Sequence, residues 1–445
     1  MPVPRYKPLV DALAVDIRTG RLPAGTRLPT HRRLALTEGI AVVTATRVYA
    51  ELGAMGLVSR EQGRGTFVRD LSLPDSHGID QQAVAADVVD LNFNSPALPD
   101  QGALLRQALR DIAGSGDIEA LLRYQPHRGR PKDRAAIARH LSVRGIDTTP
   151  EHVLVVNGAQ HGLAVTLMAT LNPGDVVAVD ALTYSGFKAL AHSLHLDLAP
   201  VPVTAQGTDL DTLERLCSTR PVRAIYAMPT LHNPLGAVMD LGSRRRLVDI
   251  ARRSGALLVE DAPYAYLVED PPAPLVDLAP DITVYVSSVS KSIATGLRVG
   301  YLVAPAAVVP ALERAIRSTT WNTTTLAVEI ACRWLGDGTV DRLELQKRDD
   351  ARARQLLVRE ALAALPHVSH DTSYFTWLPL PEDARADQIA ADLAGHDISV
   401  STAAPFATTS HVPQAIRLAL GSADPALLPA ALQTVAEVVQ QDRFH

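Results

Sequence analysis

The chain has 445 residues, of which 47% are hydrophobic and 20% are charged, and its formal net charge is −5. A chain of this length exceeds what one hydrophobic core usually supports, so we expect at least two domains. The acidic balance excludes a protein that attracts nucleic acid or anionic membranes over its whole surface. Any contact with an anionic polymer must therefore be local.

The charge is divided unevenly along the chain. Residues 1–70 carry 11 Lys/Arg against 6 Asp/Glu, whereas the remaining residues carry 32 against 42. A basic N-terminal segment on an acidic body suits contact with an anionic polymer such as DNA. A small structural domain can reach the same charge, so the balance alone does not separate the two interpretations.

The two cysteines and the absence of long apolar stretches indicate in which cellular compartment the protein is expected. Cys217 and Cys332 lie far apart without metal-ligand spacing, so we expect neither a disulfide framework nor a metal site. The N-terminus lacks the apolar core of a signal peptide, and no stretch approaches the roughly 20 apolar residues that span a bilayer. We therefore expect a cytoplasmic protein.

The first seventy residues predict three helices and a hairpin. Apolar residues recur at helical spacing over residues 6–19, and Gly20 follows where that helix would end. Thr30 is a predicted N-cap for a second helix, which Gly39 interrupts. A third helical run covers residues 42–55. Two short strand candidates then flank a turn that carries Arg64 at its tip.

Three helices and a basic hairpin predict a winged helix-turn-helix, with a small structural subdomain as the alternative. The segments GTRLPTHRRLA, TRVYAEL and GRGTFV resemble the GntR family of DNA-binding regulators, and the resemblance covers nearly all of residues 5–69. It implies double-stranded DNA as a partner. The residues that the resemblance offers for DNA contact, mainly with phosphates, are Arg32, Thr44, Arg47 and Arg64.

The rest of the chain predicts a linker and an α/β body. Residues 71–88 are small and polar without periodicity, which is typical of a linker between a domain at 1–70 and a body at 89–445. In the body, apolar runs such as HVLVV, VVAV and ITVYVSS alternate with helical patterns, which predicts helices packed on a mostly parallel sheet. A helical stretch near residues 324 to 365 leads into shorter elements, which predict a smaller α+β lobe at about 335–445.

The five lysines of the chain narrow the search for a reactive amine. Lys291 directly follows the ITVYVSS strand, where strand ends of an open α/β sheet present groups to ligands. Ser288 precedes it and Arg298 follows it, so a hydroxyl and a cation stand near enough in sequence to bind a phosphate. The alternative interpretation is a solvated basic loop.

Other predicted strand ends carry polar groups as well. The turn after HVLVV contains Gly158 and opens a helix whose free backbone N–H groups suit an anion. Asp261 ends the ALLVE strand, where a carboxylate suits a pyridinium nitrogen but would also serve as a helix cap. Asn233 lies in the turn of AMPTLHNPLG, and Tyr184 follows VVAVD, where a core tyrosine is the alternative.

Taken in order, these segments resemble fold-type I enzymes of the class I/II aminotransferase group, which implies pyridoxal 5′-phosphate (PLP) as the cofactor. The resemblance implies that Lys291 forms the internal aldimine with PLP and that Asp261 pairs with the pyridine nitrogen. It also implies that Asn233 and Tyr264 donate to the phenolate oxygen, and that Tyr184 stacks on the ring.

The same resemblance assigns the phosphate, the neighbouring subunit and the effector. It implies that Tyr124 reaches the phosphate of a partner subunit, and hence a homodimer. It implies that Arg417 binds the carboxylate of an amino-acid effector through a bidentate fork. The residues that it implies for the phosphate site are Gly158, Ala159, Gln160, Ser288 and Arg298.

The predicted fold is therefore multidomain, with a winged helix-turn-helix joined to a fold-type I PLP-dependent transferase body, as in MocR-type regulators. The resemblance implies a transcriptional regulator that senses an amine, an amino acid or PLP itself through the aldimine at Lys291. The alternative is a catalytically active aminotransferase with a vestigial DNA-binding domain. A regulator whose body has lost PLP is disfavoured because Lys291, Asp261, Asn233 and Arg298 are all present.

Overall fold

The computed structural model describes residues 6–23, 25–55, 57–61, 65–68, 88–114, 118–204 and 207–442. Arg64 and most of the predicted linker lie outside these residues. Within them, every helix is too short or too polar to cross a bilayer.

The N-terminal domain contains three helices and a two-stranded hairpin. Its elements are α1 (Lys7–Arg18), α2 (His31–Glu38), α3 (Val42–Ala54) and the antiparallel strands β1 (Val58–Glu61) and β2 (Gly65–Val68). The hydroxyl of Thr30 caps α2 by accepting the N–H of Arg33, and Gly39 ends α2 in the left-handed conformation. Val10, Val48 and Leu52 are fully buried between the helices. The predicted winged helix-turn-helix is confirmed.

The body alternates strands and helices from its first residues onward. Its elements up to residue 336 are β3 (Val89–Leu91), α4 (Gln101–Gly114), α5 (Pro131–Val143), β4 (Val153–Val156), α6 (Gly158–Thr170), β5 (Val176–Asp180), α7 (Ser185–Ser193), β6 (Asp197–Val201), β7 (Val203–Thr204), β8 (Gly207–Thr208), α8 (Leu210–Thr219), β9 (Val222–Ala227), α9 (Leu241–Ser254), β10 (Leu257–Asp261), α10 (Leu275–Leu278), β11 (Thr283–Ser288), β12 (Gly300–Val303), α11 (Val309–Thr319) and α12 (Thr325–Gly336). Short 3-10 helices lie at Ile118–Leu122, Ala265–Leu267 and Thr295–Leu297.

A seven-stranded sheet forms the centre of the body, in the order β4-β12-β11-β10-β9-β5-β6. Its strands are parallel except β12, which is antiparallel to both of its neighbours. Every residue of β4 and β11 is buried, because helices cover both faces of the sheet. The apolar runs in the sequence are therefore buried strands of this sheet, and the predicted α/β fold is confirmed.

The C-terminal part of the chain builds a smaller lobe around a second sheet. Its elements are α13 (Thr339–Ala361), β13 (Val368–Ser369), β14 (Phe375–Pro379), α14 (Ala386–Ala394), β15 (Ile398–Thr402), β16 (Ala415–Ala419) and α15 (Leu428–Asp442). The strand order is β13-β14-β16-β15-β3, and β3 pairs in parallel with β15. The first strand of the body therefore belongs to the sheet of the C-terminal lobe.

Charged contacts join the small lobe to the N-terminal domain. Arg385, directly before α14, donates to Asp11 of α1 at 2.8 Å, and its Nε lies 3.7 Å from a carboxylate oxygen of Glu51 on α3. The Arg385 side chain is only 8% exposed. Lys7 also donates to the backbone carbonyl of Asp383. Both α1 and α3 thus contact one short segment of the small lobe.

The start of β12 packs directly against the start of α6. A Cβ atom added to Gly300 would lie 2.6 Å from the carbonyl carbon of Gly158, which is closer than such atoms approach. Because the obstructing atom belongs to the backbone, no side-chain rotation relieves the contact. Glycine at position 300 therefore fixes where α6 begins.

We expect Gly300→Ala to lower the free energy of unfolding by about 1–3 kcal/mol, the usual cost of overpacking a filled core. Urea denaturation followed by circular dichroism measures this change. Gly296→Ala is the matched control, since a Cβ atom there meets nothing within 4 Å. Equal midpoints for the two variants would contradict the close approach of β12 and α6.

Candidate functional site

A cavity of about 310 Å³ lies at the carboxyl ends of the central strands, between the large sheet and the small lobe. The ends of parallel strands are where open α/β sheets place their ligands. Phe375 and Arg417 of the small lobe close the cavity from the other side. The residues predicted from sequence that line it are Ala159, Gln160, Tyr184, Asn233, Asp261, Tyr264, Ser288, Lys291, Arg298 and Arg417.

Lys291 presents its amine inside this cavity. Its Nζ donates to the backbone carbonyl of Asn94 at 2.5 Å and lies 5.8 Å from the centre of the Tyr264 ring. Burial, with the nearby charges of Arg298 and Arg417, lowers the pKa of Lys291 to about 8. A larger fraction of this amine is therefore neutral and nucleophilic near pH 7 than in an ordinary lysine.

The backbone that carries Lys291 is held by two further side chains. The Tyr266 hydroxyl donates to the Lys291 carbonyl at 2.9 Å. Lys347, which is fully buried, donates to the same carbonyl at 2.9 Å and to that of Ile293 at 2.8 Å. Lys347 was not predicted from the sequence, because a lysine within a long helix such as α13 is expected to be exposed to solvent.

Asp261 is buried with one oxygen satisfied and one open. The Tyr226 hydroxyl donates to its Oδ2 at 2.7 Å, whereas Oδ1 meets no hydrogen-bond donor among the described residues. Burial raises the pKa of Asp261 to about 7. A cationic N–H donor aimed at Oδ1 would favour the carboxylate, which is what the pyridinium nitrogen of PLP provides. Tyr226 was missed because it lies within an apolar strand.

The opposite end of the cavity suits a phosphate group. Gly158 has a φ of +77°, and a Cβ atom there would lie 2.7 Å from Nη2 of Arg298. Only glycine lets the exposed guanidinium of Arg298 approach the first turn of α6. Free backbone N–H groups of a helix start, a cation and the Ser288 hydroxyl together form an anion site.

Gln160 and Tyr184 meet across Gly186 on the rim of the cavity. The Gln160 side chain donates to the Gly186 carbonyl at 2.9 Å. A Cβ atom on Gly186 would lie 2.5 Å from the Tyr184 hydroxyl and 2.6 Å from the Gln160 side-chain oxygen. The three residues are therefore packed together, and burial raises the pKa of Tyr184 to about 12, so the hydroxyl keeps its proton.

Arg417 on β16 is a fully charged side chain in an apolar setting. Its guanidinium carbon lies 5.2 Å from the ring centre of Phe375 and 4.7 Å from that of Phe406. It donates to Asn233 Oδ1 and to Ser401 Oγ, each at 3.2 Å. Burial lowers the pKa of Arg417 to about 10, which leaves it charged at neutral pH. Its hydrogen-bond acceptors among the described residues are neutral oxygens, and its buried Nε meets no acceptor among them.

The segment after β3 supplies site residues that sequence reasoning missed. Asn92 and Asn94 line the cavity although they lie about 200 residues before Lys291 in the chain. The side chain of Asn94 donates to the Tyr374 carbonyl and accepts the N–H of Gly421 at 2.8 Å. No local motif marks this segment, because the pairing of β3 with β15 places it at the site.

Tyr124 is the predicted site residue that stays apart from the cavity. It is 84% exposed in the single chain, with its ring centre 5.6 Å from that of Trp321. Its role toward a neighbouring subunit remains a prediction.

The predicted DNA-contact residues lie on the helix-turn-helix. Arg32 on α2 is exposed and Thr44 on α3 is half-buried. The guanidinium of Arg47 is 65% exposed, lies 4.5 Å from the centre of the Tyr6 ring and 3.6 Å from a carboxylate oxygen of Glu51. Arg64, the fourth candidate, falls outside the described residues.

Solved structures of aminotransferases share the fold of the body. The structure of Pyrococcus horikoshii kynurenine aminotransferase covers 80% of this chain and 92% of its own, with a TM-score of 0.75 at 22% identity. That of LysN, an α-aminoadipate aminotransferase from Thermus thermophilus, covers 82% and 96%, with a TM-score of 0.74 at 22% identity. These likenesses establish the fold.

Relatives that match most of the chain are named as regulators. The HTH-type transcriptional regulator YdeF of Bacillus subtilis strain 168 is 28% identical over 421 residues, which cover 94% of this chain and 90% of YdeF. The probable rhizopine catabolism regulatory protein MocR of Rhizobium meliloti is 29% identical over 351 residues, 71% of this chain and 69% of MocR.

Two families account for the chain. Residues 5–68 match the bacterial regulatory proteins of the gntR family, and residues 86–435 match aminotransferase class I and II. The second match implies PLP as the cofactor, and the open oxygen of Asp261, the space at Gly158 and the amine of Lys291 fit that group. The chain therefore belongs to the aminotransferase class I and II family and carries a DNA-binding helix-turn-helix domain of the gntR family at its N-terminus.

Proposed function

We propose that this chain is a PLP-dependent transcriptional regulator whose body senses an amine, an amino acid or PLP itself at Lys291. One observation carries the proposal: a helix-turn-helix with an exposed arginine on α3 is joined to a body whose cavity brings Lys291, Asp261 and Arg417 together. The first feature suits DNA phosphates, and the second suits a cofactor that bonds amines.

PLP supplies an electrophilic carbon that bonds either to Lys291 or to the amine of an effector. An effector amine that bonded to this carbon would displace Lys291, whose Nζ would then be a free amine. The lowered pKa of Lys291 keeps a useful fraction of it neutral, which makes the exchange reversible. Arg417 donates to neutral oxygens and keeps its Nε open among the described residues, and it would bind the carboxylate of an amino-acid effector.

The small lobe offers a route from the cavity to DNA. It carries Arg417, which faces the effector, and Arg385, which contacts Asp11 and Glu51 of the N-terminal domain. Glu51 lies 3.6 Å from Arg47 and 3.7 Å from Arg385, so two arginines share one carboxylate. If Arg385 moves away, the Glu51 carboxylate interacts with Arg47 alone. Glu51 then neutralises more of the charge of Arg47, which weakens the attraction of Arg47 to DNA phosphates.

The proposal includes a cytoplasmic homodimer. Two helix-turn-helix domains in a dimer read half-sites about one helical turn apart, so a change in their spacing changes operator affinity. The exposed ring of Tyr124 supports an intersubunit contact, and Trp321 beside it is also exposed.

A metabolic aminotransferase is the second candidate. The 2-aminoadipate transaminase of Thermus thermophilus is 27% identical over 316 residues, or 69% of this chain. Lys291 and Asp261 supply the groups for proton removal next to the amine. The regulator is favoured because a relative named as a regulator matches 94% of the chain, DNA-binding domain included.

We expect the PLP-loaded protein to bind DNA from upstream of its own gene in the presence of unrelated competitor DNA. Arg47→Ala removes an exposed cation from α3, so it should weaken binding and reduce the slope of log affinity against log salt by about 0.9. Fluorescence anisotropy at several salt concentrations measures both. Arg21→Ala is the control, because this exposed arginine lies outside α2 and α3 and pairs with Asp16. Equal slopes for both variants would contradict phosphate contact by Arg47.

We expect Lys291→Ala to abolish the visible absorbance of lysine-bound cofactor and the change in DNA affinity caused by amines, while basal DNA binding persists. The reason is that the effector amine has no lysine bond to replace. Lys132→Ala is the control, since Lys132 is exposed and pairs with Glu329 away from the cavity. An amine response that survives Lys291→Ala would overturn sensing at Lys291, and sustained turnover of amino acids without specific DNA binding would favour the aminotransferase.

We expect Arg385→Ala to reduce the effect of a bound effector on DNA affinity without changing PLP binding. An effector that shifts DNA affinity by a typical allosteric factor of about 5 to 150 should shift it less than about twofold in this variant. Anisotropy with and without effector gives the factor, and PLP absorbance verifies the cofactor site. Arg359→Ala on α13, which removes an exposed ion pair with Asp371, should behave as wild type. A full response in Arg385→Ala would reject this route while leaving sensing at Lys291 intact.

A further inference from the structure

A second cavity, of about 400 Å³, lies on the other side of β10 from the cofactor site. Glu260 and Asp261 are consecutive residues of β10, so their side chains point to opposite faces of the sheet. Asp261 lines the cofactor cavity, and Glu260 lines the second one. The two cavities are therefore separated by the strand itself.

The walls of the second cavity carry more acidic than basic groups. Its carboxylates are Glu260, Glu269, Asp341 and Glu344, and its guanidinium groups are Arg144 and Arg348. The remaining lining includes the rings of Tyr266 and Tyr285 and the side chains of three prolines. A net acidic cavity with aromatic and aliphatic walls suits a cation that has an apolar part.

Glu260 is a buried carboxylate of this cavity with one open oxygen and no ion pair to an arginine among the described residues. Its side chain is 1% exposed, and its Oε2 accepts the backbone N–H of Val276 at 2.9 Å. Its Oε1 is buried and meets no hydrogen-bond donor among the described residues. A buried carboxylate oxygen without a donor costs free energy, and burial accordingly raises the pKa of Glu260 to about 7.

The nearest cations are already engaged by other groups. Arg244 is fully buried beside Glu260, but its N–H groups donate to the carbonyls of Met239, Pro229, Pro272 and Ala273 and to the Thr230 hydroxyl. These five bonds account for the five donors of a guanidinium. Arg144 pairs with Glu344. Neither arginine therefore donates to the open oxygen of Glu260.

We propose that the second cavity is a binding site for a small organic cation, an ammonium, amidinium or guanidinium group with an apolar body, held by Glu260. The cation donates to Oε1 of Glu260, and its apolar body packs on the tyrosine and proline side chains. The site is independent of the amine chemistry at Lys291, because no bond to PLP is required. It gives the protein a second ligand, bound behind the strand that carries Asp261.

Arg348 also lines the cavity, and its positive charge opposes the binding of a cation there. Its Nη2 donates to the Tyr266 carbonyl at 2.9 Å, whereas its buried Nε has no partner among the described residues. An anion would satisfy that group instead. The excess of carboxylates in the lining favours the cation, and a probe of each charge decides between them.

Benzamidine is the test probe, because its protonated amidinium lacks the free lone pair that attacks PLP. Calorimetric titration of the PLP-loaded full-length protein should show one saturable site per subunit. Benzamide, which has the same shape without the charge, should bind at least tenfold more weakly. Stronger binding of benzoate than of benzamidine, or no saturable binding of benzamidine, would overturn the proposal.

Two variants locate the probe within the molecule. Glu260→Gln removes the charge at constant shape and should weaken benzamidine binding at least tenfold. The control Glu437→Gln, at an exposed position of α15, should leave benzamidine binding unchanged. Leu345 lines the cavity and is 54% exposed, so Leu345→Trp should block the entrance without altering Glu260. This second variant also decides the matter if Glu260→Gln fails to fold. Benzamidine binding that survives the substitutions at the cavity would place the cation elsewhere and refute the assignment.

Discussion

The cofactor cavity gathers more positive than negative side chains, and both lobes contribute to this excess. Lys291, Arg298 and Arg417 line this cavity, and Asp261 is the single carboxylate among the described residues of its lining. Cations gathered in one cavity repel one another, and those that are buried lose hydration, so they favour an anionic ligand. A phosphate, together with the carboxylate of an amino acid, supplies the missing charge. Burial, together with the charges of Arg298 and Arg417, accordingly lowers the pKa of Lys291.

Several features of the fold serve to hold these charges in place. Glycine at position 158 admits the guanidinium of Arg298 to the start of α6, and glycine at position 300 admits β12 beside it. Lys347 and Tyr266 donate hydrogen bonds to the backbone carbonyl of Lys291 and so fix its position. The small lobe contributes Arg417 from its central strand β16. Because the two lobes each supply part of the charge, a ligand that bridges them also sets their relative position.

The sequence predicted those parts of the site that follow strands directly. Asp261, Ser288 and Lys291 come at or just after the ends of apolar runs, and such runs become central strands wherever helices cover both faces of a sheet. The helix-turn-helix was equally readable, because caps such as Thr30 and Gly39 act locally. Asn94 and Lys347 could not be predicted, since only the pairing of β3 with β15 and the packing of α13 bring them to the site. Arg385 likewise carries no local signal for its contact with α1 and α3.

The position of β3 has a mechanical consequence for the whole molecule. The chain enters the body through β3, which lies next to β15 in the sheet of the small lobe. Arg385, which immediately precedes α14 and contacts α1 and α3, belongs to the same lobe. The small lobe thus contacts the DNA-binding domain through Arg385 and also contains the strand at which the chain enters the body. A displacement of the small lobe that kept the Arg385 contacts would therefore carry α1 and α3 with it.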